Sequence, residues 1–226
     1  MNLILNLTNA YREFRKKTIF KQKNLMHLKN LNYPLDFKFR ITTLSSDFTI
    51  TDANGKEIAY VRQKMFRLKE DVIIYSDHSR TQQLFQIKAN QWLDFNASYS
   101  LVDLVNMKSY GRVSRKGMRS FWKATYDIMD ENNITKFTIT EDNGFKKIWD
   151  SMVGEIPIVG MFTGYFLNPS YSVKDASGRS YFQLKKMPSL IGRRFQLNRM
   201  VDIDDEDETL VILSLLMMVL LERARG

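Results

Sequence analysis

The sequence predicts a mainly β protein, a closed antiparallel β-barrel that encloses a hydrophobic C-terminal α-helix. Two observations predict this fold class: a hairpin unit recurs along the chain, and an apolar run near the C-terminus has no polar face. Many antiparallel strands must close, stack or be capped to hide their edges. A helix that is apolar on every side must be surrounded. Strands that close around the helix meet both requirements.

The recurring unit is a five-residue pattern in which apolar residues alternate with spacers and the last residue is aspartate. It occurs five times, as Phe48-Thr-Ile50-Thr-Asp52, Ile73-Ile-Tyr75-Ser-Asp77, Tyr99-Ser-Leu101-Val-Asp103, Tyr126-Asp-Ile128-Met-Asp130 and Tyr171-Ser-Val173-Lys-Asp175. The first four aspartates are 25, 26 and 27 residues apart, and the fifth follows 45 residues later. The alternation turns the first and third residues of each unit inward. The aspartate falls at a turn, where its carboxylate can accept backbone N–H groups.

Turn signals and returning strands complete the hairpins. Asn54-Gly55 and Ser177-Gly178 follow two of the aspartates and supply the positive φ of a tight turn, and Asn143-Gly144 is a further hairpin signal. Returning strands are predicted at Glu57–Val61, Leu84–Lys88, Gly111–Ser114 and Tyr181–Leu184. The apolar segment 156–167, IPIVGMFTGYFL, is predicted to form a core strand pair with a glycine turn, and its insertion into a membrane is the alternative.

The apolar run Leu210–Leu221, LVILSLLMMVLL, is predicted to be the central helix, with bounds at about 208–223. Twelve helical residues span about 18 Å, whereas a bilayer core needs about 30 Å, so no transmembrane span is predicted. The acidic run 202–208 precedes the helix, and Arg223 and Arg225 follow its apolar part. Both sets of charges favour the helix dipole. The predicted division is a basic N-terminal arm, 1–36, and a barrel domain, 37–226.

The net charge of +9 favours partners that are rich in phosphate, either anionic lipid or nucleic acid. Residues 1–40 carry nine basic residues against Glu13 and Asp36 alone. A solvated helix face or arm explains such a run without any function. Leu3, Ile4, Leu7, Tyr11 and Phe14 recur at roughly helical spacing beside these charges. An interfacial membrane helix and a helix packed across the barrel exterior both remain open.

No motif of a catalytic or metal site is present. The chain has no cysteine, no P-loop, no G-x-G-x-x-G and no G-x-S-x-G elbow. Neither histidine, His27 or His78, has a second ligand type at metal spacing, and the acidic run 202–208 lacks the EF-hand pattern. We therefore predict a binding module without catalytic residues, metal or cofactor. A reducing cytoplasm is the simplest compartment, with peripheral association at the inner face of the membrane.

Two basic clusters are the candidate sites for anionic headgroups. The first is Arg112, Arg115, Lys116, Arg119 and Lys123, with Phe121 and Trp122 among them. Basic residues contact phosphates, and an aromatic residue can sit at a lipid interface or stack on a base. The second cluster flanks Pro188 and Gly192 and consists of Lys185, Lys186, Arg193 and Arg194. Exposed charges on a hairpin and in a loop explain both clusters without a ligand.

From near Phe39 to the C-terminus, the chain resembles the tubby C-terminal-like superfamily, in particular its LURP-one-related branch, which is related to the phospholipid scramblases. The strongest segment is DFTITDANGKEIAYVRQKMFRLKEDVIIYSD, residues 47–77. The late repeat YSVKDASGRSYFQLKK and the apolar helix after an acidic stretch are also similar. The resemblance implies about twelve strands around the helix, and it implies binding of phosphoinositides or other anionic phospholipids through basic residues on the barrel.

Scramblases carry a calcium-binding acidic segment before their terminal helix, and residues 202–208 occupy the corresponding place without the family's spacing. Favourable charge at the helix N-terminus accounts for this run more simply. Peripheral binding to an anionic phospholipid surface is thus the function predicted first. Nucleic-acid binding is the alternative, because the same charges support it. Scramblase-like activity, and a hydrolase or transferase acting in the barrel mouth, rank below both.

Overall fold

The computed structural model describes residues 28–41, 45–64, 71–91, 98–116, 125–142, 169–189 and 193–223. Within these ranges the chain forms twelve β-strands and one α-helix. They are β1 (Leu35–Ile41), β2 (Ser45–Thr51), β3 (Glu57–Lys64), β4 (Val72–Tyr75), β5 (Gln83–Gln91), β6 (Ser98–Asp103), β7 (Lys108–Lys116), β8 (Thr125–Met129), β9 (Thr135–Glu141), β10 (Ser170–Lys174), β11 (Ser180–Met187), β12 (Arg193–Arg199) and α1 (Asp205–Arg223).

The strands form a closed barrel in which each strand pairs antiparallel with its neighbours in sequence. β12 closes the barrel by pairing with β1, with Leu35 opposite Leu197 and Phe37 opposite Phe195. All residues of α1 from Asp207 to Leu221 are buried. The predicted barrel around a hydrophobic C-terminal helix is therefore confirmed. The helix begins at Asp205, three residues before the predicted bound.

The up-and-down order of the strands gives the barrel two different ends. The five aspartate-containing hairpin turns lie together at one end, where β1 begins and where the chain passes from β12 into α1. We call this the turn end. The opposite end, where β1, β7 and β11 finish and α1 ends, is called the loop end. The predicted hairpin at Asn143-Gly144 and the segment 156–167 fall outside the described residues.

The predicted role of the aspartates at turns is confirmed by their hydrogen bonds. Asp52 Oδ1 accepts the backbone N–H groups of Asn54 and Lys56, both at 2.9 Å. Asp130 and Asp175 accept from the equivalent positions two and four residues later. The residue three positions after each of these aspartates has a positive φ, and it is Gly55, Asn133 or Gly178. Glycine and asparagine tolerate this conformation better than other residues.

Each of the five aspartate-containing hairpins also contains a β-bulge in its returning strand. One extra residue stands on the returning strand, directly after the turn, and the five residues are Ile58, Leu84, Tyr110, Lys136 and Tyr181. The first four are spaced by 26 residues. A bulge increases the local twist and re-aims a side chain. The bulges therefore add a ring of side chains at the turn end.

The second repeat differs from its prediction. Val72, Ile74 and Ser76 are buried, whereas Ile73 and Tyr75 are half-buried, so the prediction that the latter two face inward is wrong. The bulge after Ile74 corresponds to the bulge after Ile50 in the first repeat. Ser76 therefore takes the position of Asp52, and Asp77 lies one residue further into the turn.

The four predicted returning strands are confirmed and lie within β3, β5, β7 and β11. β1 begins at Leu35, and Leu28 and Leu31, which precede it, belong to the hydrophobic core. The described part of the basic arm is thus packed against the barrel. Among the described residues, no helix combines the length and hydrophobicity that crossing a bilayer requires.

Candidate functional site

The described members of the two basic clusters lie on strands that reach the loop end. On β7, Arg112 alternates with the buried Gly111 and Val113 and therefore faces outward. Arg115 lies on the same strand face as Val113, is half-buried, and so faces the inside of the barrel end. Lys116 is exposed and faces outward. Arg119 and Lys123 lie outside the described residues.

The second cluster is likewise divided between side chains that face the inside of the barrel end and side chains that face outward. Lys186 shares a strand face with the buried Leu184 on β11, and Arg193 shares one with the buried Phe195 on β12. Lys185 is exposed on the outer face of the barrel. Four strand spacings separate β7 from β11, which is about 19 Å around the wall. The two clusters therefore share one end of the barrel but stand on different sides of it.

Ion pairs neutralise two of the predicted residues. Lys116 Nζ lies 2.8 Å from Asp127 Oδ1, and the Asp127 side chain is almost fully buried. Arg194 donates to both carboxylate oxygens of Asp36, over distances of 2.8 to 3.1 Å. A bidentate pair of this kind fixes the guanidinium. These two basic residues are thus less available to an external anion than their neighbours.

Several basic residues at the loop end form no ion pair with any other described residue, and five of them lie on β1, β7, β11 and β12. These five are Arg40, Arg115, Lys185, Lys186 and Arg193. The sequence interpretation missed Arg40, which lies on β1 beside β12. The signal was present, since Asp36, Lys38 and Arg40 alternate with the buried Leu35, Phe37 and Phe39. We call these five residues the loop-end cations.

The acidic run at the start of α1 makes a different structure, a collar of ion pairs at the turn end. Four consecutive acidic residues each contact a different basic residue: Asp205 with Lys29, Glu206 with Lys108, Asp207 with Lys136 and Glu208 with Arg199. The four partners come from the segment before β1 and from β7, β9 and β12. The collar therefore ties the helix start to the barrel wall on several sides.

Asp204 caps the helix below the collar. Its Oδ1 accepts the backbone N–H groups of Glu206 and Asp207 at 3.0 and 2.9 Å. The predicted explanation of the acidic run, favourable charge at the helix N-terminus, agrees with this geometry. The specific partners were not predicted, because they are far apart in sequence.

The collar has a buried side in which Tyr33 takes part. The Tyr33 hydroxyl donates to Glu208 Oε1 over 2.9 Å, and the Arg199 guanidinium lies 4.8 Å from the Tyr33 ring centroid. Burial, together with the Glu208 carboxylate, raises the pKa of Tyr33 well above its usual range. The hydrogen bond to Glu206 likewise raises the pKa of Lys108. Tyr33 thus stays neutral and Lys108 stays charged at physiological pH.

A cavity of about 660 Å³ opens beside the collar. Its apolar wall includes Leu84, Phe85 and Tyr110, and Asp204 and Glu206 stand on its polar side. The Phe85 and Tyr110 rings pack edge to face, with centroids 5.8 Å apart. The chain enters the described structure at this point, since Leu28 and Lys29 also line the cavity.

Among the described residues, no group of three histidine or acidic side chains is arranged to hold a metal ion. Residues 205–208 of the acidic run are engaged in the collar. His78 lies in the β4–β5 turn, is largely exposed, and has Nδ1 3.2 Å from Glu57 Oε2.

No family model, curated protein or solved structure matches this chain.

Proposed function

We propose that this protein is a non-catalytic binding module that attaches to anionic phospholipid surfaces through the loop end of its barrel. The observation that carries the proposal is the set of loop-end cations, five basic side chains gathered at one end without an ion-pair partner among the described residues. Each basic residue near an anionic bilayer contributes about 1 kcal/mol. The total attraction therefore depends on how many of the five reach the surface together.

The segregation of charge between the two ends supports this orientation. The collar and the aspartate turns place acidic residues at the turn end, whereas the loop-end cations lie opposite. An anionic surface attracts one end and repels the other, so the barrel approaches it with the loop end forward.

The resemblance to the tubby C-terminal-like superfamily points to the same class of ligand, and membership of that superfamily is part of the proposal. The twelve-stranded barrel around a C-terminal helix is the architecture that the resemblance implies. Attachment at the inner face of a cellular membrane follows from the proposal, because anionic phospholipids are concentrated in the cytoplasmic leaflet.

Co-sedimentation with vesicles tests the proposal. We expect the full chain to pellet with vesicles of phosphatidylcholine and phosphatidylserine and to stay in solution with phosphatidylcholine alone. Reversal of two loop-end cations, Lys185→Glu with Arg193→Glu, should remove at least about 2 kcal/mol of attraction, which is a roughly thirtyfold or greater loss of affinity. The matched control is Lys56→Glu with Arg80→Glu, which makes the same change of net charge at two exposed positions of the turn end.

Equal losses from the two double variants would show that only net charge matters and would refute the loop-end site. Equal pelleting with neutral and anionic vesicles would refute the lipid proposal altogether. Nucleic acid is the competing partner with the same charge requirement. If a single-stranded oligonucleotide is retained while anionic vesicles are not, nucleic acid is the partner.

A further inference from the structure

The turn end carries an acidic surface with exposed apolar side chains, and the proposed membrane contact at the loop end does not use it. Met107, Ile134 and Met200 are 80%, 62% and 60% exposed, the most exposed large hydrophobic residues of the described chain. All three lie at this end, in the β6–β7 turn, in the β8–β9 turn and directly after β12. A contiguous exposed apolar patch is a feature of binding sites, and these three side chains supply apolar surface in three segments of the turn end.

Acidic residues surround these apolar side chains. Glu131, Asp202 and Asp204 are exposed, and Glu206 and Asp205 remain half exposed although each has a lysine partner. The cavity of about 660 Å³ lies in the same surface, and its aromatic wall of Phe85 and Tyr110 can receive an apolar side chain. A partner for this surface must therefore combine positive charge with apolar residues.

The chain itself supplies such a partner at this place. Residues 1–27 contain six basic residues against Glu13 alone, interspersed with leucine, isoleucine and aromatic residues. This segment joins the barrel at the turn end, because the buried Leu28 and the Lys29–Asp205 ion pair lie in the wall of the cavity. A short tether gives a local concentration in the millimolar range, so even weak complementarity leads to occupancy.

We propose that residues 1–27 dock on the acidic turn end of their own barrel, with basic side chains against the exposed carboxylates and an apolar side chain in the cavity. The inference stands on the turn-end surface and on the sequence of the segment, and it does not require the membrane proposal.

Distance measurements between spin labels test this docking in the full chain. The chain has no cysteine, so introduced cysteines are the only labelling sites. One label at Thr18→Cys is combined either with Asn132→Cys in the exposed β8–β9 turn or with Ser189→Cys after β11 at the loop end. We expect a short, narrow distance distribution for the Asn132 pair and a long one for the Ser189 pair.

Charge substitutions test whether electrostatic attraction holds the segment on the turn end. Glu131→Lys with Asp202→Lys should reduce the short-distance population several-fold, because both substitutions replace attraction by repulsion. Asp71→Lys, at an exposed position of the loop end, should leave it unchanged. Distributions of equal breadth for both label pairs would overturn the proposal. Loss of the short distance on dilution with unlabelled protein would also overturn it, because the segment would then belong to a second copy. Neither result depends on vesicles, so the membrane proposal is tested separately.

Discussion

The substitution Glu208→Gln tests the collar with a matched control on the same guanidinium. Arg199 Nη1 donates to Glu208 Oε1 over 2.9 Å, and Arg199 Nη2 lies 3.2 Å from Asp202 Oδ1. The Glu208 side chain is 3% exposed and the Asp202 side chain is 91% exposed. Glu208→Gln and Asp202→Asn therefore make the same chemical change at a buried and an exposed member of one cluster.

The burial of Glu208 and the exposure of Asp202 set the expected loss of stability for each substitution. Removal of one member of a buried pair costs about 3–5 kcal/mol, whereas an exposed pair contributes about 0–1 kcal/mol. Glutamine keeps an acceptor for Arg199 and for the Tyr33 hydroxyl, so we expect Glu208→Gln to cost about 2 kcal/mol. For a chain of this length, that is a fall of about 4–8 °C in melting temperature. Asp202→Asn should lower it by about 4 °C at most.

Thermal unfolding followed by circular dichroism, with urea unfolding as a second measurement, gives both values. The ratio of the two effects is the decisive quantity, because it does not depend on the absolute scale. Equal effects of Glu208→Gln and Asp202→Asn would refute the reasoning that burial of the collar, and not the presence of Arg199, produces the stability. A negligible effect of both would show that the collar does not anchor the helix.

Three further substitutions test the helix, a bulge and a turn by urea unfolding. Ser214→Ala should stabilise the protein by about 1 kcal/mol or more, because its buried hydroxyl has no hydrogen-bond partner among the described residues, and any loss of stability would contradict this. Gly111→Ala should cost at least about 2 kcal/mol, because Gly111 has a φ of 131° and an added Cβ would lie 2.1 Å from the Met129 carbonyl oxygen. The control is Gly55→Ala, which should cost less because its added Cβ meets no atom within 4 Å. Burial alone would raise the pKa of Asp52, but hydrogen bonds from Lys56, Asn32 and Asn54 outweigh it and lower the pKa. Its stabilising contribution is therefore complete above about pH 4 and is lost as the pH falls further, and Asp52→Asn should flatten this acid limb; an unchanged acid limb would contradict it.

Features that depend on neighbouring residues could be predicted from the sequence. The alternation of each repeat, the aspartate that caps its own turn and the apolar helix are all local patterns, and the closed barrel follows from combining them. Gly55 and Gly178 have the positive φ that their turn position requires. The prediction was wrong for the second repeat because Ile73-x-Tyr75-x-Asp77 satisfies the pattern one residue out of step with the strand face.

Features that depend on pairing between strands could not be predicted. The bulge residues are defined by the partner strand, so Lys136 and Tyr110 could not be assigned to the helix start from sequence alone. Asp36 and Arg194 are 158 positions apart and meet only because β12 closes against β1. The basic clusters were therefore found as groups of residues, but their division into paired, outward and inward side chains needed the register.

The charges at the two ends serve different purposes, which makes stability and binding separable by mutation. The acidic residues of α1 lie at the positive end of the helix dipole and also pair with the barrel wall, so their loss costs folding free energy. Lys185 and Arg193, in contrast, form no ion pair with another described residue, so their reversal should leave the melting temperature nearly unchanged. Binding and folding are therefore tested by different variants: reversal of Lys185 and Arg193 tests attachment to an anionic surface, and Glu208→Gln tests the collar.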